Sequence, residues 1–270
     1  MGNSLSSRVE REKELHNRGM DRSKYAACLG HAQSGYAPDR LNMRRAFLMA
    51  DCKAKDVLEI GSCSWSSWVD LEHYRPKSLT CINISEKELE KGHCLYEKTA
   101  NKIPEHKFLL MDAHHLDFVD NSFDVVFGSG ILHHLNFEMA IREIHRVLKN
   151  DGKIIFVEPL GLNPVGKIVR KYSPNARTPD EKPLGREEVK ILEKYFHLDN
   201  SYYQLFYVPS GVLSRFLFKS SYNPLTFLAD KIDRFIAEII CSKTSFLFSL
   251  ALYFRCILIY GRRKVLAARY

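Results

Sequence analysis

Five short segments constrain this chain more than anything else in it: VLEIGSCSW at 57–65, LTCINIS at 79–85, FLLMDAHHL at 108–116, FDVVFGSGILHHL at 123–135 and GKIIFVEPL at 152–160. Each opens with an apolar run of strand length. The first four end in a polar, acidic or glycine residue, where a buried strand emerges into a loop. Helical patterns separate several of them, and that alternation predicts a parallel sheet with crossover helices. In such sheets ligands sit outside the carboxyl ends of the strands, so those ends are where function is sought.

The pattern places strands at roughly 56–60, 79–84, 107–111, 123–127 and 153–158. Gly61 ends the first, and Trp65, Trp68, Val69 and Leu71 are expected on a following helix. Ser85 and Glu88 form a capping box for the next helix, with Leu89, Leu95 and Tyr96 on its buried side. A helix over 137–149 carries Phe137, Ala140, Ile141, Ile144 and Leu148 on one stripe, and Asn150-Asp151-Gly152 supplies the turn that ends it. From Pro159 to Gly185 the chain holds five of its ten prolines, which predicts a long irregular connection with one helical turn near 165–171. Loops of that length in compact domains are usually functional. A helix at 186–196 and a strand near 201–207 follow. In 224–240, Leu225, Leu228, Ile232, Phe235, Ile236 and Ile239 share a face that excludes Asp230, Lys231, Asp233, Arg234 and Glu238. CILIYGRRK at 256–264 reads as a last strand. The chain thus divides into a helical cap over 1–50, with Arg8 to Lys13 as a solvated helical face, an α/β domain over 51–207 and 253–270, and a helical insertion over 208–252.

Hydrophobic content of 45% and charged content of 27% predict a folded core. A net charge of +8 is compatible with nucleic acid, an anionic membrane or an acidic substrate, and selects none of them. Seven cysteines, an odd number with no CxxC pair, fit a reducing compartment and exclude a disulfide framework or zinc ribbon. No secretory signal opens the chain. The longest uncharged stretch of the apolar C-terminal part, Thr244 to Phe254, falls short of the ~20 residues of a spanning helix. The protein is therefore expected to be cytoplasmic. Its opening Met1-Gly2-Asn3-Ser4-Leu5-Ser6 fits the short pattern for myristoylation of Gly2.

The joint order of these segments resembles the class I S-adenosylmethionine-dependent methyltransferases, across roughly 50–207 and again at 256–264. The resemblance implies a Rossmann-like, seven-stranded, mostly parallel sheet flanked by helices, with the last strand antiparallel and S-adenosylmethionine lying across the ends of strands one to four. Glu59-Ile60-Gly61-Ser62-Cys63-Ser64-Trp65 stands where the family has an acidic residue and a glycine-rich turn, although Cys63 and Trp65 replace two glycines. Gly61 would let the backbone approach the cofactor. Asn83, followed by Ile84, occupies the place of the ribose-binding carboxylate and lacks its charge. Asp112-Ala113 matches the pair that meets the adenine. Gly128-Ser129-Gly130 supplies small residues beneath the methyl donor. The cofactor contacts implied are Glu59, Gly61, Ser62, Asn83, Ile84, Asp112, Ala113 and Ser129. FDVVFGSGILHHL followed by a helix and RVLKNDGKIIFVEP (146–159) is the most specific part of the match.

Methyl transfer to a hydroxyl needs alignment and proton removal. His133 and His134 are the candidate bases, with a slight preference for His134, and Glu158 on the same rim is a candidate to hold the acceptor. Asp112, His114, His115, His133 and His134 do not make a metal cluster, because adjacent histidines point apart on a regular backbone. Arg170, Lys171 and Arg177 form a positive patch beside the acceptor mouth, suited to a carboxylate, phosphate or lipid headgroup. The 208–252 insertion, with FLFSLALYF at 246–254, is expected to close the core, to build an apolar acceptor pocket or to lie at a membrane interface. The leading expectation is methyl transfer to a small-molecule acceptor, at oxygen rather than nitrogen, with an apolar, saccharide or lipid-linked substrate and no nucleic acid. Its rivals are a catalytically inactive scaffold on the same fold, favoured by Cys63, Trp65 and Asn83, an RNA or protein methyltransferase, and a dinucleotide oxidoreductase, which would want two more glycines after Gly61.

Overall fold

A computed structural model describes residues 5–19, 21–61, 64–67, 74–99, 103–178, 180–242 and 248–266. Three helices come first: α1 (Leu5–Arg18), α2 (Ser23–Leu29) and α3 (Tyr36–Leu48). Then follow β1 (Asp56–Ile60), β2 (Ser78–Asn83), α4 (Glu86–Glu97), β3 (Glu105–Leu110), β4 (Phe123–Ser129), α5 (Phe137–Val147) and β5 (Leu148–Pro159). The chain continues through α6 (Pro164–Tyr172), α7 (Arg186–Tyr195), β6 (Phe196–Leu198), β7 (Ser201–Tyr203), α8 (Tyr207–Leu217), α9 (Pro224–Ser242), α10 (Phe248–Ala251) and β8 (Cys256–Arg263).

The strands form one sheet in the order β3-β2-β1-β4-β5-β8-β6, with β7 also on β8. β1 to β5 run parallel and β8 runs antiparallel to β5. The sheet thus has eight strands where seven were expected. β6 pairs with 261–263 and β7 with 256–258, so together they line one edge of β8, interrupted at Asp199-Asn200. One ladder bond survives in the gap, from the Asp199 amide to the Tyr260 carbonyl at 2.8 Å.

Alternation along the strands sends side chains to two cores. Leu58, Ile60, Val126, Ile154 and Phe156 meet α5 and α7 on one face. Val57, Val125, Phe127 and Ile155 meet Met49, Tyr74 and Tyr96 on the other. Caps fix the helices that feed the strand ends. Ser85 accepts the Glu88 amide at 3.2 Å to start α4, and Asn163 accepts the Gly166 amide at 2.9 Å to start α6, which has Pro164 in its first turn.

Several local expectations shift. A single 3₁₀ turn, Ser64–Ser67, follows β1, and Trp68, Val69 and Leu71 lie outside the described residues. Helix α5 stops at Val147, and Asn150-Asp151-Gly152 lies within β5, because 148 already pairs with Phe123. Leu95 is exposed while Tyr96 is buried. The long connection holds a nine-residue helix, α6, rather than one turn. The strand expected to run to 207 ends at Tyr203, because Asp233 on α9 accepts the amides of Leu205, Phe206 and Tyr207 at 2.9, 2.8 and 3.1 Å and starts α8. The same contact orients α9 against expectation. Asp230 and Asp233 face inward, with Asp230 on Arg40 at 2.8 Å, and Leu228, Ile232 and Phe235 face out. Two carboxylates with dedicated partners have displaced half of the apolar stripe.

Candidate active site

The carboxyl ends of β1, β2, β4 and β5 open onto a cavity of about 810 Å³ that continues beneath α1, α2 and α6. That volume lies at the upper end of ordinary ligand sites, ~300–1,000 Å³, and leaves room for two ligands side by side.

Its first half is backbone and small side chains. Gly61 turns the chain out of β1 at φ +99°, its amide on the Ile82 carbonyl at 3.0 Å. A Cβ there would be strained and would meet Ile131 at 2.9 Å. Gly61, Asn83, Ile84, Ala113 and Ser129 all line this half, as their strand-end positions require. Ser62 and Cys63 lie outside the described residues. Glu59 does not reach the wall. It is buried and accepts the Ser64 amide at 2.6 Å and hydroxyl at 2.7 Å, so it holds the turn from behind. Burial pushes its carboxyl up to about 7, with the Ser64 bonds opposing. Asp112 also stays off the wall, held by the His114 amide at 3.0 Å and ring at 2.6 Å. Trp65 is fully buried against Tyr96 and Phe108, so the bulk that replaces a family glycine packs away from the cavity. The Asn83 amide is committed to structure: it donates to the Gly61 carbonyl and accepts from the Ser85 amide at 2.9 Å, tying the ends of β1 and β2 together. The cradle fits S-adenosylmethionine in kind: a left-handed glycine, small residues at 113 and 129, and a carboxamide oxygen with a spare lone pair for a ribose hydroxyl.

The second half carries titratable groups. His133 and His134 form one 3₁₀ turn after β4, their rings 4.2 Å apart. Glu158, at the end of β5, accepts the amides of Ile131 and Leu132 at 2.9 Å each on Oε1, and its Oε2 meets His133 Nδ1 at 2.7 Å. A carboxylate on Nδ1 places the proton there and leaves Nε2 as the acceptor. His134 has its own carboxylate: Nδ1 lies 3.1 Å from Glu12 Oε2 and 3.2 Å from the Thr178 hydroxyl. Adjacent histidines therefore each face a separate acid, both within the cavity wall.

Glu12 comes from α1 and was not legible in sequence. The stretch read as a solvated face is a clasp. Arg8 donates to the carbonyls of His134, Leu135 and Asp180 at 2.8, 3.2 and 3.0 Å, and Arg11 binds the Asp180 carboxylate at 2.7 Å. Lys13 reaches Glu86 at 2.7 Å, and Asn17 accepts the Ser85 hydroxyl at 2.6 Å. Burial raises the Glu12 carboxyl, but His134, Thr178 and His16 together outweigh it and hold it below the usual carboxylate range. Burial, with His134 alongside, holds His16 below the usual imidazole range. The ligand atoms of Glu12, His16 and His134 lie within 4.8 Å of one another, as do those of His133, His134 and Glu181, so this end could hold a divalent cation. The five-residue cluster weighed from sequence does not assemble: His114 turns to Asp112 and accepts the Asn136 amide at 2.7 Å.

Tyr25, Leu29, Leu41, Leu160 and Val169 give this half apolar walls, and Arg22, Arg170, Arg177 and Arg255 give it positive charge. Lys171, expected with Arg170 and Arg177, points to solvent. No described residue of 208–252 lines the cavity. The roof is the N-terminal cap, and α8 packs one layer further out, where Gly211 presses so close to Ala32 that a Cβ would lie 2.5 Å from its amide.

Residues 58–156 match the family described as the methyltransferase domain. An uncharacterized protein of Methanocaldococcus jannaschii is 51% identical over 43 residues, 16% of this chain and 19% of that protein. A demethylmenaquinone methyltransferase of Staphylococcus aureus is 36% identical over 107 residues, 39% of this chain and 42% of that protein. The chain thus spans less than half the length of these curated relatives. In fold it is similar to a geranyl diphosphate C-methyltransferase of Streptomyces coelicolor, solved with Mg²⁺, geranyl diphosphate and S-adenosyl-L-homocysteine. That likeness has a TM-score of 0.56 at 14% identity and covers 95% of this chain and 98% of the other. Residues 58–156 thus match a methyltransferase domain, and the fold around them is the one that class I S-adenosylmethionine-dependent methyltransferases share.

Proposed function

We propose that this chain transfers a methyl group from S-adenosylmethionine to an oxygen of a small acceptor, one with an apolar or lipid-linked body and a polar or anionic group. The observation that carries the reading is the adjacency, within one cavity, of a glycine-and-backbone cradle at the strand ends and two carboxylate-held histidines opposite it. The cofactor, when bound, supplies a methyl already activated on sulfonium. What remains for the protein is alignment and removal of the acceptor proton.

His133 is the better placed base. Its Nδ1 is held by a buried carboxylate that two backbone amides immobilise, so Nε2 is aimed and able to accept a hydroxyl proton while Glu158 stabilises the imidazolium formed. This reverses the slight sequence preference for His134, whose carboxylate partner arrives on α1. Arg170 and Arg177 orient an anionic or saccharide group, and Leu160 and Val169 take the apolar body. Trp65, packed away from the cradle, removes one argument for an inactive scaffold.

The test is incubation of the protein with methyl-labelled cofactor and a fractionated cell extract. Label should enter an organic-extractable small-molecule fraction, and His133→Ala should abolish it without changing affinity for S-adenosylhomocysteine. Label confined to RNA or protein would replace the acceptor assignment. No cofactor binding at millimolar concentration would favour the scaffold.

A further inference from the structure

We infer that the outward face of α8 and α9 docks on an anionic phospholipid surface. The two helices pack on each other and expose large apolar side chains: Phe206 just before α8, Leu213, Phe216 and Leu217 on α8, then Phe227, Leu228, Ile232 and Phe235 on α9. Phe216 is 73% exposed and Phe235 64%, whereas a monomer's scattered surface apolars seldom gather on one element pair. The turn between the helices continues the patch, because the Tyr36 ring touches both Tyr222 and Phe227, at 5.2 and 5.4 Å between centroids.

Charge selects the occupant. Arg215, Lys219, Lys231 and Arg234 are exposed among these apolar residues, with Lys231 5.3 Å from the Phe227 ring centre and Arg215 5.3 Å from that of Phe216. The acids of the same helix are turned away: Asp233 is fully buried on the amides that start α8, and Asp230 is on Arg40. Only Glu238 adds negative charge to the exposed part of α9 among its described residues. A second copy of the chain would set these cations against one another across an interface. A bilayer with anionic headgroups complements them and accepts the apolar side chains at the headgroup boundary. No described helix is long and apolar enough to cross a membrane, so the contact is peripheral. Because the cavity draws on no described residue of 208–252, this surface is separate from the methyl-transfer site and does not depend on the function assigned to it.

The experiment is sedimentation with vesicles of phosphatidylcholine alone and of equal phosphatidylcholine and phosphatidylglycerol. The wild-type chain should bind the anionic vesicles, and salt should weaken binding. The apolar triple variant Phe216→Ser, Leu217→Ser, Phe235→Ser and the charge triple variant Lys219→Glu, Lys231→Glu, Arg234→Glu should each lower partitioning at least about tenfold. All six side chains are exposed, and unchanged melting and S-adenosylhomocysteine binding verify that the variants are folded. Equal binding to neutral vesicles, no binding by the wild type, or unchanged partitioning in both variants overturns the inference. So does a concentration-dependent dimer that the apolar variant abolishes, which would make the face an interface between copies. Loss of cofactor binding in the wild type would defeat the methyl-transfer reading and leave vesicle binding as it stands.

Discussion

The two halves of the cavity are built from different kinds of sequence. The cradle half comes from strand ends within 58–156 and rests on backbone: a glycine at φ +99°, a carboxamide tying two loops, and small residues at 113 and 129. The histidine half comes from residues far apart in the chain. Its histidine turn follows β4, one carboxylate ends β5, the other sits on α1, and two arginines come from α6 and the loop after it. Damage should therefore separate cleanly: one half should fail in affinity and the other in turnover.

The largest expected effect is on the histidine side. His133→Ala should cut turnover by ~10²–10⁴, the usual contribution of a positioned base, with S-adenosylhomocysteine affinity unchanged by calorimetry. Glu158→Gln should lose much of this as well, since it frees the ring and weakens two amide contacts. Equal losses of affinity and turnover would break the division between the halves. Gly61→Val should act in the opposite way. A β-branched residue at positive φ costs about 1–3 kcal/mol before its contact with Ile131 is counted, so cofactor affinity should fall by roughly 100-fold while the fold survives.

Glu12 tests whether the N-terminal clasp belongs to the site. Glu12→Gln leaves His134 without its charged partner and should cost about 1–3 kcal/mol of stability at neutral pH. The Glu12 carboxyl is held below its unfolded value, so its stabilisation is present above the unfolded pKa and lost as pH falls through the folded one. The gap in melting temperature between wild type and variant should close as the medium is acidified. Glu59 has the opposite sign. Its carboxyl rises from 4.5 to about 7 on folding, so the folded state binds more protons than the unfolded one, and stability of the cofactor-free protein should fall as pH rises across that window. Glu59→Gln should flatten that slope. A slope unchanged by the substitution would mean that the Ser64 bonds, not burial, govern this carboxyl.

How much of this was legible follows the same division. The parallel order of β1 to β5 and the wall positions of Gly61, Asn83, Ala113 and Ser129 follow from local patterns, because a strand's burial and its end are written in consecutive residues. His133 and Glu158 were legible as types at strand ends, but not as a pair, since 25 residues separate them. Glu12 gave no signal: its neighbours Arg8, Arg11 and Lys13 are charged, and a polar clasp has no apolar period to read. α9 misled for the related reason that its stripe was real while Asp230 and Asp233 had distant partners that decided which face turned inward.

The smallest expected effect is at Asn83, where sequence and structure lead to opposite outcomes. By analogy with a ribose-binding carboxylate, Asn83→Asp should tighten cofactor binding through a charge-assisted bond, about 1 kcal/mol or more over a neutral one. In the structure the Asn83 nitrogen donates to the Gly61 carbonyl, and an aspartate would place an oxygen against that oxygen. The bond from the Ser85 amide would survive, since either side chain accepts it. Loss of the tie loosens the turn that carries Gly61, while the new charge improves the ribose contact. The two effects are similar in size and opposite in sign, so the net change should be no more than a few-fold weakening, accompanied by a lower melting temperature of the cofactor-free protein. Calorimetry with S-adenosylhomocysteine together with the melting curve distinguishes the cases. Tighter binding with unchanged melting would show that the Gly61 tie is dispensable, and that this position acts on the ligand alone.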